Sequence, residues 1–136
     1  MALQINGESD LFMSKVILAI DDDENFLSTI KDILESEGYQ VKTLTDPTRT
    51  EYFIEKYDPD LLIIDVFMPE RSGFNLIEDF RDKGLYQQLP KIFLTCLDDD
   101  VEKMTARACG VNYYMTKPFQ PEELIEKINR TLSVRQ

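Results

Sequence analysis

Apolar residues in this chain fall into short unbroken runs separated by longer stretches of helical periodicity. Val16–Ile20 and Leu61–Ile64 are continuous aliphatic runs, too short for helices and apolar on both faces, which predicts strands covered on both sides. Residues 90–95, Pro90 to Thr95, and 111–116, Val111 to Thr116, predict two more. Residues 39–45, Tyr39 to Thr45, alternate through Val41 and Leu44 and suit a strand nearer an edge. Between the runs, apolar positions recur at helical spacing. Phe26, Leu27, Ile30, Ile33 and Leu34 form one stripe, closed by Gly38. Asp46-Pro47 opens a helix with Tyr52, Phe53, Ile54 and Tyr57, and a helix from about Gly73 carries Phe74, Ile77 and Phe80 up to Gly84. After Asp98-Asp99-Asp100 the pattern predicts a fourth helix, ended by Gly110, with Val101, Met104 and Ala108 inward. Pro121 opens a fifth, with Leu124, Ile125, Ile128 and Leu132 inward.

Strict alternation of five strands with five helices is the signature of an α/β fold with a parallel sheet between helical layers and right-handed crossovers. Doubly wound sheets of this size commonly run in the order 2-1-3-4-5, as in a flavodoxin-like (βα)5 fold. Residues 1–13 lack this regularity and contain the turn-forming Asn6-Gly7-Glu8-Ser9-Asp10; they are expected to be an N-terminal extension to one domain over 14–136.

Composition narrows the chemistry. The 136 residues include 43% hydrophobic positions, enough for a real core. Twenty-six acidic side chains against 15 basic ones give a net charge of −11, which argues against nucleic acid as a direct partner. There is no histidine, so imidazole bases, Ser-His-Asp triads and most zinc sites are excluded. The two cysteines, Cys96 and Cys109, suggest neither a disulfide framework nor a thiolate metal site and are expected to be small core residues. No run approaches the ~18 apolar residues of a membrane span, and the start has no basic segment leading into an apolar one. A cytoplasmic protein without a membrane partner is expected.

Against this background the polar residues that end the strands stand out. The first run stops at Asp21-Asp22-Asp23-Glu24, the third at Asp65, the fourth at Thr95 and the fifth at Lys117. In a 2-1-3-4-5 sheet these carboxyl ends share one edge, where open α/β sheets place their ligands. Crowded carboxylates repel, and a hard divalent cation such as magnesium relieves the conflict while keeping room for a phosphate oxygen. An ammonium and a hydroxyl beside that cation make a receptor for a phosphoryl group, with Asp65 as nucleophile. Asp23 has a simpler role as a helix cap, and Asp98-Asp99-Asp100 is expected to be a solvated helix N-terminus.

These motifs, Ile20-Asp21-Asp22-Asp23, Ile64-Asp65-Val66-Phe67-Met68-Pro69, Leu94-Thr95 and Thr116-Lys117-Pro118-Phe119, resemble the receiver domain of two-component response regulators over roughly Lys15 to Leu132. The resemblance implies that Asp65 takes a phosphoryl group from a sensor histidine kinase or histidine phosphotransfer protein, with Mg2+ as cofactor. It implies Asp22 as a direct metal ligand beside Asp65, Asp21 acting largely through water, and the backbone carbonyl of Phe67 completing the protein's share. Thr95 and Lys117 would contact the phosphoryl oxygens, Lys117-Pro118 would be cis, and Tyr114 would be the aromatic switch residue coupled to Thr95. It further implies an output domain or partner on the face formed by the fourth helix, fifth strand and fifth helix, with scope for a homodimer on phosphorylation. Such a chain is a switch rather than an enzyme and catalyses only its own phosphorylation and dephosphorylation. Two positions depart from the common pattern: Phe67, two residues after Asp65, and Leu97, two after Thr95, are apolar where polar or smaller residues are frequent. Phe67 also argues against a haloacid-dehalogenase-type phosphatase, which needs a second acid at that position. Three aspartates after the first strand argue against a flavin-phosphate loop, and a scaffold without phosphorylation would not need this full set.

Overall fold

In a computed structural model, residues 15–134 are described; the expected N-terminal extension, residues 1–13, lies outside them. Among these residues five strands alternate with five α-helices: β1 Val16–Ile20, α1 Glu24–Glu35, β2 Gln40–Leu44, α2 Thr50–Tyr57, β3 Leu61–Asp65, α3 Gly73–Lys83, β4 Lys91–Thr95, α4 Asp100–Ala108, β5 Tyr113–Thr116 and α5 Pro121–Val134. The sheet is parallel throughout in the order β2-β1-β3-β4-β5. The helix expected to open at Asp46-Pro47 begins as one 3-10 turn, Pro47–Arg49, in which the Asp46 carboxylate accepts from the Thr48 N–H.

Alternation along the strands divides the core in two. Leu61 and Ile63 of β3 face one layer with α1 and α5, through Leu27, Ile30, Leu34, Leu124, Ile128 and Leu132. Leu62 and Ile64 face the other with α2, α3 and α4, through Ile54, Leu76, Ile77, Phe80 and Ala106. Helix ends follow local chemistry. Asp23 caps α1 by accepting from the Asn25 and Phe26 N–H groups. Ser72 and Asn75 form a reciprocal capping box on α3, and Gly84 ends that helix in the left-handed region at φ 66°. Asp99 caps α4 while Asp98 pairs with Lys103, so the acidic run there is a helix start, as expected.

Two expectations are corrected. Val101 and Met104 are not inward: they are 71% and 70% exposed, Ala108 is exposed too, and Ala106 is the buried residue of α4. The apolar stripe is real, but its opposite side touches the sheet. Cys96 is exposed, because β4 has already left the core at Thr95, whereas Cys109 at the end of α4 is partly buried and packs against the core. Tyr52 projects from α2, whose inward contacts are Thr50 and Ile54. The sequence pattern also gave no warning that β4 opens on a buried lysine. Lys91 Nζ donates to the carbonyls of Tyr86 at 2.7 Å and Leu89 at 2.6 Å, and burial lowers its pKa to about 8.

Candidate functional site

Strand register assembles the polar ends. Ile20 pairs with Ile64, so the next residues, Asp21 and Asp65, leave the sheet side by side. Asp65 is level with Leu94, so Thr95 follows one step beyond it, and Thr95 in turn is level with Thr116, immediately before Lys117. Asp21, Asp22 and Asp65 each bring a carboxylate oxygen to a common point, all within 4.8 Å of one another. Asp21 is 2% exposed and Asp65 9%, whereas Asp22 is exposed at the rim. Three acids on one spot, two of them buried, are a donor set for a hard cation, and the fit to magnesium is good.

One lysine partly balances that charge. Lys117 Nζ donates to Asp21 Oδ2 at 2.7 Å and lies over the ring of Phe26, 3.9 Å from its centroid. Phe26 in turn meets Phe119 edge-on, and the peptide bond between Lys117 and Pro118 is cis. Asp65 accepts from the Phe67 N–H at 3.3 Å. Its pKa is raised to about 6, chiefly by removal from water and next by repulsion from Asp21, against the opposing pull of Lys117 and the Phe67 N–H.

Thr95 is buried, and its hydroxyl oxygen accepts from the Leu97 N–H at 3.3 Å. The Tyr114 hydroxyl donates to the Leu97 carbonyl at 2.8 Å, so the loop after β4 connects the two residues. Tyr114 is pushed up to about 12, by burial first and then by Glu102 and Asp99. Its ring contacts Phe93, which packs on Phe74 at the start of α3. Phe67 and Leu97 are both exposed.

Asp21, Asp22, Asp65, Phe67, Thr95 and Lys117 therefore lie at one edge of the sheet, and Tyr114 joins them through the loop after β4. Two others went unremarked. Phe26 belongs to the α1 stripe, yet its place in the first turn after Asp21-Asp22 puts it beside the crevice. Nothing in the local pattern marks Arg71, whose guanidinium bonds to Glu51, Asp79 and the Pro47 carbonyl.

Comparison with known proteins follows the same lines. The family profile described as the response regulator receiver domain matches residues 17–129. The chain is 32% identical over 120 residues to regulatory protein VanRc of Enterococcus gallinarum, covering 88% of this chain and 51% of that protein. It is also 32% identical over 120 residues to the alkaline phosphatase synthesis transcriptional regulatory protein PhoP of Bacillus subtilis, covering 88% and 49%. It thus spans about half the length of these relatives. Among solved structures, the receiver domain of Francisella response regulator 1452 superposes with a TM-score of 0.83 at 28% identity, covering 90% of this chain and 100% of that one. Vibrio cholerae chemotaxis protein CheY4 gives 0.79 at 29%, covering 87% and 98%.

Proposed function

Because this chain belongs to the family of response regulator receiver domains, the phosphoacceptor switches of two-component signalling, we propose that Asp65 is its phosphorylation site. The observation that carries this reading is the meeting of Asp21, Asp22 and Asp65 on one point, with Lys117 paired to Asp21. A carboxylate oxygen of Asp65 attacks the phosphorus of a phosphohistidine on a sensor histidine kinase or phosphotransfer protein. The phosphorus–nitrogen bond breaks, and the imidazole nitrogen leaves with the bonding pair.

Receiver domains generally bind magnesium at such an acidic pocket. Asp22 and Asp65 would hold the ion directly, Asp21 largely through water, and the Phe67 carbonyl would join them. When bound, magnesium supplies positive charge to the phosphoryl oxygens and separates the carboxylates. Lys117 then exchanges its Asp21 partner for a phosphoryl oxygen, and the Thr95 hydroxyl donates to another. Drawing Thr95 toward the added charge alters its link through Leu97 to Tyr114, whose turn inward biases a two-state surface. A groove of about 580 Å³ over β5, between α4 and α5 and lined by Lys103, Arg107, Tyr114 and Lys127 among others, supports that face as the place for an output domain, a partner or a second copy after phosphorylation. The chain's own catalysis is confined to gaining and losing this group. Among the described residues, no helix is long and apolar enough to cross a membrane.

The test is intact-mass measurement after incubation with a small phosphodonor and magnesium. Wild type is expected to gain one phosphoryl group and Asp65→Asn none. Equal uptake by the two proteins would overturn the assignment.

A further inference from the structure

The loop that follows Asp65 has to do two things at once. It turns the chain from β3 into α3, and it carries the Phe67 N–H that donates to Asp65. Its own backbone closes it partly: the Gly73 N–H donates to the Val66 carbonyl at 2.9 Å, and the Arg71 N–H to the Pro69 carbonyl at 2.8 Å. Glu70 occupies the left-handed region at φ 72°, a conformation a glutamate adopts only when its surroundings hold it there.

The side chain of Arg71 supplies that hold. Its Nη1 donates to Glu51 Oε1 at 2.7 Å and to the Pro47 carbonyl at 3.3 Å. Its Nη2 donates to Glu51 Oε2 at 2.7 Å and Asp79 Oδ2 at 2.9 Å. Glu51 lies on α2 and Asp79 on α3, so a single guanidinium fastens the loop to the helix before it and the helix after it. The fork-to-fork geometry with Glu51 fixes orientation as well as distance, which a lysine cannot reproduce. At 14% side-chain exposure the arginine is largely shielded from water and salt, so this is not an ordinary surface ion pair. The hydrogen bond from Arg71 brings Glu51 down to about 2, and the pair stays charged across the physiological range.

We propose that Arg71 is a positioning residue for the acidic site: by clamping residues 66–72 to α2 and α3 it sets where Phe67 and the Asp65 carboxylate stand, and so how well the site takes magnesium. This rests on the function proposed above. The clamp touches neither the cation nor the phosphoryl group; it acts through the backbone it immobilises. Groups that orient metal ligands from behind typically change affinity by 10–100-fold when lost, and an indirect clamp belongs near the lower end, about tenfold.

The experiment is a magnesium titration by calorimetry on wild type, Arg71→Met, Arg71→Lys, Glu51→Gln and the Arg71→Met/Glu51→Gln double variant, with circular dichroism to establish that each is folded. Arg71→Met is expected to weaken magnesium binding about tenfold. Arg71→Lys should recover little of that, and the double variant should be no worse than Arg71→Met alone. The thermal shift produced by a fixed magnesium concentration should fall in the same order. A purely structural ion network would lower the melting temperature but leave the magnesium affinity of the folded variants within twofold of wild type, and that result would overturn the proposal. If Arg71→Met does not fold, Arg71→Lys and Glu51→Gln decide on the same criterion. A wild type that binds no magnesium would remove the premise itself, a failure recognisable because it appears before any substitution is made.

Discussion

Asp65, the proposed phosphorylation site, costs the fold stability when its carboxyl is ionised. Its carboxyl titrates at about 6 because it is taken out of water beside Asp21, whereas an aspartate in an unfolded chain titrates at about 3.9. The folded state therefore holds a proton that the unfolded chain has already released between those values. Stability from this group is full below about pH 4 and is lost as pH rises through about 6. In magnesium-free buffer, Asp65→Asn is expected to stabilise the protein at pH 7.5, by up to roughly 3 kcal/mol for two pKa units, and to bring little at pH 4. Denaturant melts at the two pH values check this; an equal gain at both would locate the effect in packing. The neighbouring apolar positions are expected to govern the lifetime of the phosphoryl group. Phe67 and Leu97 cannot hydrogen-bond or orient an attacking water, and both are exposed beside the site. Phe67→Asn with Leu97→Glu is expected to speed loss of the phosphoryl group about tenfold, equivalent to about 1.4 kcal/mol of barrier. A decay time course at saturating magnesium measures it, and identical decay would show that these side chains do not gate water.

At the scale of elements, the join between β3 and α3 is tightly specified. A Cβ at Gly73 would stand 3.0 Å from the Asp65 carbonyl oxygen, 3.2 Å from Val66 Cα and 3.3 Å from Ile64 Cγ2. Two of those neighbours are backbone and cannot swing aside. Gly73→Ala should therefore destabilise by about 1–3 kcal/mol, although alanine in a helix interior is ordinarily favoured over glycine by about 1 kcal/mol. Thermal melts of the single variant give the sign, and a stabilised variant would mean that the loop yields freely. The same crowding explains why α3 starts where it does: Ser72 must cap it, and the glycine must pass under the strand's last carbonyl. Helix α4 is held more loosely, with Ala106 its buried residue, which suits an element expected to shift when Tyr114 turns.

For the molecule as a whole, charge is the dominant constraint. A chain of net charge −11 draws three carboxylates to one point and sets one lysine against them. Magnesium should raise the melting temperature, by an amount equivalent to about 2.7 kcal/mol at a hundred times its dissociation constant. Asp22→Ala should lose most of that response, and relief of repulsion should leave its magnesium-free form at least as stable as wild type. Scanning calorimetry with and without magnesium decides, and an undiminished shift in the variant would remove Asp22 from the ligand set.

Much of this architecture follows from local pattern. Strands covered on both faces must be apolar throughout, and helices between layers must carry a stripe, so five βα units are legible in the chain itself. An aspartate or lysine that interrupts such a run has no apolar reason to be there, which is why Asp21, Asp65 and Lys117 announce a site. What periodicity cannot convey is which neighbour covers a stripe. The Val101–Met104 side of α4 looked inward by pattern, yet α4 meets the sheet through Ala106, and only the placement of β5 and its neighbours decides between them. Nor can local pattern reveal contacts between distant segments. Lys117 rests on Phe26, and Arg71 reaches back to Glu51, because parallel crossovers bring separate loops to one edge. Period and composition act along the chain over a few residues, whereas the energy of those contacts exists only once the sheet has closed the distance.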